Sequence, residues 1–133
     1  MTEPKLKSNN HSEEKIEIDE IIDRKALLFR LNNDVELLQE LIDFFLQDYH
    51  RLIHDIESAI ETKDVQVLRI AAHTLKGSLG NFCANKAAGI SYKLETAGIS
   101  EDFSNTESDL SELKEEMKFV DKALRLLSEE YAA

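Results

Sequence analysis

Residues 35–82 read VELLQELIDFFLQDYHRLIHDIESAIETKDVQVLRIAAHTLKGSLGNF, and their apolar side chains recur at alternating steps of three and four. This repeat is that of one face of an α-helix. It runs first through Val35, Leu38, Ile42, Phe45, Tyr49, Leu52, Ile56 and Ala59, and then through Val65, Leu68, Ala72, Leu75, Leu79 and Phe82. The polar break Thr62-Lys63-Asp64 separates the two runs and offers a cap to the second helix. Because the break is so short, the two helices are expected to be antiparallel neighbours.

Helix signals also precede this stretch. Asp23 is positioned to cap a short helix that ends near Leu31. The pair Asn33 and Glu36 has capping-box spacing and predicts the start of the first long helix.

Two further helices are predicted downstream. The first runs from about Lys86 to Ala97, and Gly98 is expected to end it in a left-handed turn, followed by a loop over 98–104. Ser104 and Glu107 have capping-box spacing before the last helix. The apolar side chains of these two helices are Ala87, Ile90, Leu94 and Ala97, and then Leu110, Leu113, Met117, Val120, Leu124, Leu127 and Tyr131.

Four apolar faces on consecutive helices must be buried together. The sequence therefore predicts an all-α, antiparallel four-helix bundle with a short additional N-terminal helix. The chain has 133 residues with only four Gly and one Pro, which suits one helical domain. We assign residues 16–133 to this domain and residues 1–15 to a flexible polar tail.

Charge and composition restrict the partners. Lys and Arg number 16 against 27 Asp and Glu, so the net charge is −11, which argues against nucleic acid or an anionic membrane. A single cysteine, Cys83, excludes an internal disulfide and is expected to be a small buried apolar side chain. We see no membrane-spanning run and no signal peptide, so a cytoplasmic location is expected.

His73 lies on the wrong face of its helix to belong to the core. At about 100° per residue, it points roughly 130° away from the apolar face, and so toward solvent. The side chains one turn to either side on this outer face are Arg69, Ile70, Lys76 and Gly77, with Gln66 and Gly80 a turn further out. Two cations flank the imidazole and would favour a phosphoryl group there.

Two neighbours of His73 are harder to explain as ordinary surface residues. Gly77 costs about 1 kcal/mol relative to alanine inside an exposed helix, which suggests that a partner needs the empty space. Ile70 is apolar and would suit the rim of a docking surface. A lone exposed histidine is usually only a surface residue, but this combination is much rarer than its parts. His50 and His54, four residues apart, are weak evidence for a metal, and we predict none.

The segment 71–78, AAHTLKGS, strongly resembles the signature of histidine phosphotransfer (HPt) domains of two-component phosphorelays. The resemblance extends from Asp23 to Tyr131. It includes DRKALLFRLNND at 23–34, LLQELIDFFLQDY at 37–49, and Leu94-Glu95 downstream.

The resemblance implies a role for each matching residue. His73 would accept a phosphoryl group on Nε2 from one receiver-domain aspartate and pass it to another. Lys76 would steady the phosphoryl group, and Gly77 would keep access open. Glu95 would orient the imidazole by holding its Nδ1 proton, at some cost from its negative charge near phosphate. We place Gln66, Arg69, Ile70 and Gly80 in the partner-docking surface.

The implied partners are response-regulator receiver domains, a hybrid sensor histidine kinase, or both. The chain carries no nucleotide-binding motif, so we expect no intrinsic cofactor and no kinase activity, with Mg²⁺ supplied by the receiver. A monomer is the simplest state for a carrier that meets two partners in turn. One departure concerns Cys83, which stands near a position where the family often has glycine, and leaves the turn geometry there open.

Two other functions remain open from the sequence. The domain is alternatively the phosphorylated substrate portion of a larger, chemotaxis-type histidine kinase, which would be loaded by an ATP-binding domain. It is otherwise a non-catalytic helical adaptor in which His73 is incidental.

Overall fold

The computed structural model describes residues 18–132, so the tail predicted at 1–15 and the first residues of the predicted domain lie outside the described part. One helical turn at 18–21 comes first. Five helices then follow in chain order: α1 (Arg24–Arg30), α2 (Val35–Thr62), α3 (Val65–Asn81), α4 (Asn85–Ser100) and α5 (Thr106–Glu130). None of the helices in this described part is both long and apolar enough to cross a membrane.

Helices α2 to α5 form a closed four-helix bundle in which each helix packs against the next and α5 returns to α2. Cross-helix bonds show that neighbours run antiparallel. Between α2 and α5, successive bonds join residue 39 to 128, 49 to 121, and 57 to 114, so the numbers rise along one helix as they fall along the other. The predicted fold class, including the short additional helix α1, is confirmed.

The predicted apolar faces make the core. Nearly every residue assigned to these faces is buried, and the central ones are fully so, among them Leu38, Ile42, Ile56, Leu68, Leu75, Leu79, Leu94, Leu113 and Leu124. The exceptions lie at or near helix ends and are half-buried: Val35, Val65, Ala97 and Tyr131. Burial of these faces is the main stabilising contribution to the bundle.

Helix α1 lies across one end of the bundle. The backbone N–H of Asp23 donates to the carbonyl of Cys83 at 3.1 Å, and the Arg30 guanidinium donates to the carbonyl of Gly80 at 3.1 Å. Arg24 pairs with Glu130 at the end of α5. These bonds attach α1 to the C-terminal ends of α3 and α5.

Two of the helix starts follow the predicted caps and two do not. Asp23 and Asp64 cap α1 and α3 through their side chains, as expected. The capping box at Asn33 is wrong, because Asn33 adopts a left-handed φ of 59° and donates its N–H to the carbonyl of Leu28, which closes α1. Asp34 caps α2 instead, accepting from the N–H of Leu37 at 3.0 Å.

The capping box predicted at Ser104 is also wrong. The Ser104 hydroxyl and N–H both donate to the Asp102 carboxylate, at 2.6 and 2.9 Å, so this serine belongs to a local turn. Helix α5 begins at Thr106 after Asn105, whose side chain makes no capping bond.

The predicted end of α4 is wrong as well. The helix continues through Gly98 to Ser100, and Glu101 takes the left-handed conformation with a φ of 56°, so the loop covers 101–105. Gly98 is needed for close packing: a Cβ added there would meet the backbone nitrogen of Arg69 in α3 at 2.9 Å. This is the closest approach of α3 and α4 at any glycine of the described chain.

The turn at the end of α3, whose geometry the sequence left open, is formed at Cys83. This residue is buried and adopts a left-handed φ of 59°. Its N–H donates to the carbonyl of Gly80, and the N–H of Ala84 donates to the carbonyl of Leu79, both at 2.9 Å. This is the Schellman arrangement that glycine usually completes, here made by cysteine.

Candidate functional site

His73 projects from the outer face of α3, and its side chain is 65% exposed. This placement follows from the helix itself, because the neighbours Ala72 and Leu75 are buried in the core. The prediction that His73 points to solvent is confirmed.

Glu95 of the neighbouring helix α4 contacts the imidazole of His73. Its Oε2 lies 2.8 Å from Nδ1 of His73. An ionised carboxylate only accepts hydrogen bonds, so Nδ1 carries the proton and donates it. The other ring nitrogen, Nε2, then presents its lone pair, and residues 18–132 provide no partner for it. The ring is thus held in the tautomer with a nucleophilic Nε2.

Lys76 lies one turn after His73 and shares the same carboxylate. Its Nζ forms an ion pair with Oε1 of Glu95 at 2.7 Å. The side chain of Lys76 is 31% exposed and that of Glu95 only 11%. A buried carboxylate therefore holds an imidazole on one oxygen and an ammonium on the other.

The ionisation of Glu95 follows from these two partners. Burial by itself would raise the pKa of the Glu95 carboxyl, but the contacts with Lys76 and His73 oppose it, and the net effect is a lowered pKa. The carboxylate is therefore charged at neutral pH and available as an acceptor for Nδ1–H.

The close packing at Gly98 explains how Glu95 reaches His73. Gly98 lies against Arg69, and Glu95 and His73 lie about one turn away on the same two helices. A side chain at position 98 would push α3 and α4 apart at this point.

Gly77 leaves open space beside His73. A Cβ added there would meet nothing within 4 Å, so nothing in the described fold requires this glycine. This agrees with the interpretation that the space serves an incoming molecule. Gly80 has equally open surroundings, although its carbonyl already accepts from Arg30.

The remaining predicted docking residues differ in how far they are exposed. Ile70 is 50% exposed and Gln66 is exposed, so both are available to a partner on the His73 side of α3. Arg69 is half-buried, and its backbone packs on Gly98. It forms no ion pair within residues 18–132, so of the two cations expected to flank His73 only Lys76 joins the His73–Glu95 pair.

Sequence reasoning missed Tyr92. Its ring lies in α4 one turn before Glu95, with the Lys76 ammonium 5.1 Å from the ring centroid. Tyr92 lies three residues before Glu95 and therefore on the same face of α4. This spacing points to Lys76 only when the contact between α3 and α4 is known.

The second pair of histidines lies on a different face, between α2 and α5. His50 stacks on Tyr49 at 4.0 Å between ring centroids. Both His50 and His54 border a cavity of about 270 Å³, together with Glu57 and two lysines. The described residues contain no group of three or more His, Cys, Asp or Glu arranged to hold a metal ion.

Comparison with known proteins gives consistent results. The family model of the Hpt domain matches residues 40–125. Among solved structures, the fold resembles histidine-containing phosphotransfer protein B (HptB) from Pseudomonas aeruginosa PAO1, with a TM-score of 0.78 and 21% sequence identity. The match covers 84% of this chain and 97% of that one. No curated protein matches the sequence.

Proposed function

The chain belongs to the Hpt domain family, and from that premise we propose that it is a phosphocarrier which receives a phosphoryl group on His73 from a receiver-domain phosphoaspartate and passes it to another receiver aspartate. The observation that carries this proposal is the bond from Nδ1 of His73 to the buried Glu95, which leaves Nε2 exposed and unprotonated.

Each transfer is a displacement at phosphorus. Nε2 of His73 attacks the phosphoryl group, a P–N bond forms, and the P–O bond of the acyl phosphate breaks to release the aspartate carboxylate. Nδ1 keeps its proton throughout, so the phosphorylated ring is cationic and faces the Glu95 carboxylate at 2.8 Å. In the second transfer, a carboxylate oxygen of the other receiver aspartate attacks phosphorus and the P–N bond breaks. The His73 ring leaves as a neutral imidazole with Nε2 unprotonated.

Three residues support this exchange. Lys76 shares the Glu95 carboxylate with His73 and would bind phosphoryl oxygens as they arrive. Gly77 leaves room for the incoming phosphoryl group. The charge of Glu95 opposes phosphate, but Lys76 compensates for it, and the same charge stabilises the cationic ring.

The rest of the reaction is proposed to come from the partner. A receiver would dock on the face of α3 that includes Gln66, Arg69, Ile70 and Gly80, and would bring the Mg²⁺ that offsets the negative charge of the phosphoryl group. The protein itself would act without kinase activity, as a monomer in the cytoplasm.

The test is phosphorylation by a panel of phosphorylated receiver domains with Mg²⁺, followed by intact mass measurement. The wild-type protein should gain one phosphoryl group of about 80 Da that is labile to acid. His73→Gln should gain none. His54→Gln, which changes another exposed histidine, should behave as wild type.

Other outcomes separate the alternatives. Loading of His73→Gln by a receiver would contradict the proposal. Loading of wild type only by an ATP-binding kinase domain would assign the chain as the substrate portion of a kinase. No loading by either would leave a helical adaptor.

A further inference from the structure

Tyr92 is exposed and yet makes a specific contact. The side chain is 56% exposed on α4, and its ring faces the Lys76 ammonium at 5.1 Å from the centroid. This distance lies within the range of a cation–π interaction.

The contact matters because the ion pair with Glu95 restrains the ammonium from one side. Nζ forms an ion pair with Oε1 at 2.7 Å, and Glu95 is the one acidic partner of this ammonium within residues 18–132. A lysine side chain has large rotamer freedom, and 31% of this one is exposed. The Tyr92 ring is the second contact that restrains it.

We propose that Tyr92 is a positioning residue that keeps the Lys76 ammonium beside His73 before the phosphoryl group arrives. This inference rests on the proposed role of His73 as phosphoryl acceptor. Less rotamer entropy is then lost when Lys76 engages the phosphoryl oxygens, because the ammonium already lies on the correct side of the carboxylate. The ring is essential to this role, and the hydroxyl is not.

The experiment uses phosphoramidate, a small donor that requires no receiver. Nε2 of His73 attacks its phosphorus, the donor P–N bond breaks, ammonia leaves, and phosphohistidine forms. The rate of the acid-labile mass gain is measured at saturating donor for wild type, Tyr92→Leu, Tyr92→Phe, Lys76→Ala and the double variant of Tyr92→Leu with Lys76→Ala.

Tyr92→Leu should slow loading by about two- to fivefold, the size expected from an exposed cation–π contact. Tyr92→Phe should keep the wild-type rate. In the Lys76→Ala background, Tyr92→Leu should have no additional effect, because Tyr92 acts only through Lys76. Phe119→Leu removes another exposed aromatic ring, on α5, and should leave the rate unchanged.

Three results would overturn the inference: a wild-type rate for Tyr92→Leu, equal slowing in the Lys76→Ala background, or no modification of wild-type His73 by phosphoramidate. Its failure is separable from that of the proposed function. If phosphoramidate loads His73 and Tyr92→Leu slows this step through Lys76, but no receiver loads the protein, the inference stands and the receiver proposal fails.

Discussion

The bundle presents histidines on two faces, and only one of them has the geometry of a phosphoryl acceptor. On the α2–α5 face, Glu57 is 44% exposed and pairs with Lys114 at 3.1 Å, while neither His50 nor His54 has a hydrogen bond within residues 18–132. On the α3–α4 face, the carboxylate of Glu95 is buried and binds His73 directly.

The two faces differ in how their histidine rings are held. Spacing within one helix places His50, His54 and Glu57 on one side of α2, but Glu57 pairs with Lys114 and holds neither imidazole. The site at His73 instead takes its carboxylate from the neighbouring helix, where packing fixes it. Orientation of the ring, and not the number of nearby titratable groups, separates the two faces.

The largest effect is expected from removing the orienting carboxylate. Glu95→Leu should lower the rate of phosphoryl transfer to His73 on the order of ten- to a hundredfold, because the ring loses both its fixed tautomer and its fixed orientation. Glu57→Leu makes the same change on the other face and should have no effect. The transfer rates of both variants are measured with one cognate phosphorylated receiver, in reactions quenched at fixed times. Equal rates for the two variants would show that Glu95 has no special role.

The next effect concerns the close approach that brings Glu95 to His73. Gly98→Ala should destabilise the fold by about 1–3 kcal/mol, because its Cβ would meet the backbone of Arg69. Gly89→Ala, on the same helix with nothing within 4 Å, should stabilise it by up to about 1 kcal/mol. Urea denaturation gives both free energies of unfolding. A Gly98→Ala protein as stable as wild type would show that the helices are not held together here.

A smaller effect is expected on the α2–α5 face. The hydroxyl of the buried Tyr49 donates to Asp121 at 2.5 Å and connects the two helices. Tyr49→Phe should lower the free energy of unfolding by about 1–2 kcal/mol, since a hydrogen bond to a charged group is lost. Transfer at His73 should be unaffected. A loss of transfer in a folded Tyr49→Phe protein would show that the two faces are coupled.

The smallest effect is a pH dependence of stability. Burial would raise the pKa of Asp121, but the Tyr49 hydroxyl and Arg125 outweigh it and leave the pKa lowered. A lowered folded-state pKa stabilises the fold above the unfolded value, near pH 4, and this contribution is lost as the pH falls through the folded-state pKa. Asp121→Asn should therefore lose less stability than wild type between pH 5 and about pH 3, measured by urea titration. Identical pH profiles would contradict this.

The helical pattern of the sequence was sufficient for most of the fold. Steps of three and four residues identified α2, α3 and α5 with their buried faces, because a bundle core imposes that repeat directly. The outward direction of His73 follows from the same geometry. The same sequence reasoning predicts the capping residues less well. Asn33 and Ser104 have side chains suited to capping a helix, but each belongs to the turn that precedes the helix.

Contacts between helices lay beyond the sequence pattern. Glycine is typical of a helix end, so the sequence predicts that α4 stops at Gly98. Its actual role, the close contact with Arg69, depends on how α3 crosses α4. The same crossing brings Tyr92 to Lys76. Glu95 was assigned through resemblance to a family, since nothing within its own helix indicates that it meets a histidine 22 residues earlier.

The role proposed for Nε2 of His73 is tested most directly by locating the phosphoryl group with nuclear magnetic resonance. Protein labelled with ¹⁵N in its histidine rings is phosphorylated, and the coupling between ³¹P and ¹⁵N identifies the modified nitrogen. We expect a single phosphoryl group on Nε2 of His73, with the proton retained on Nδ1. A phosphoryl group on Nδ1 of His73, or on either His50 or His54, would contradict it.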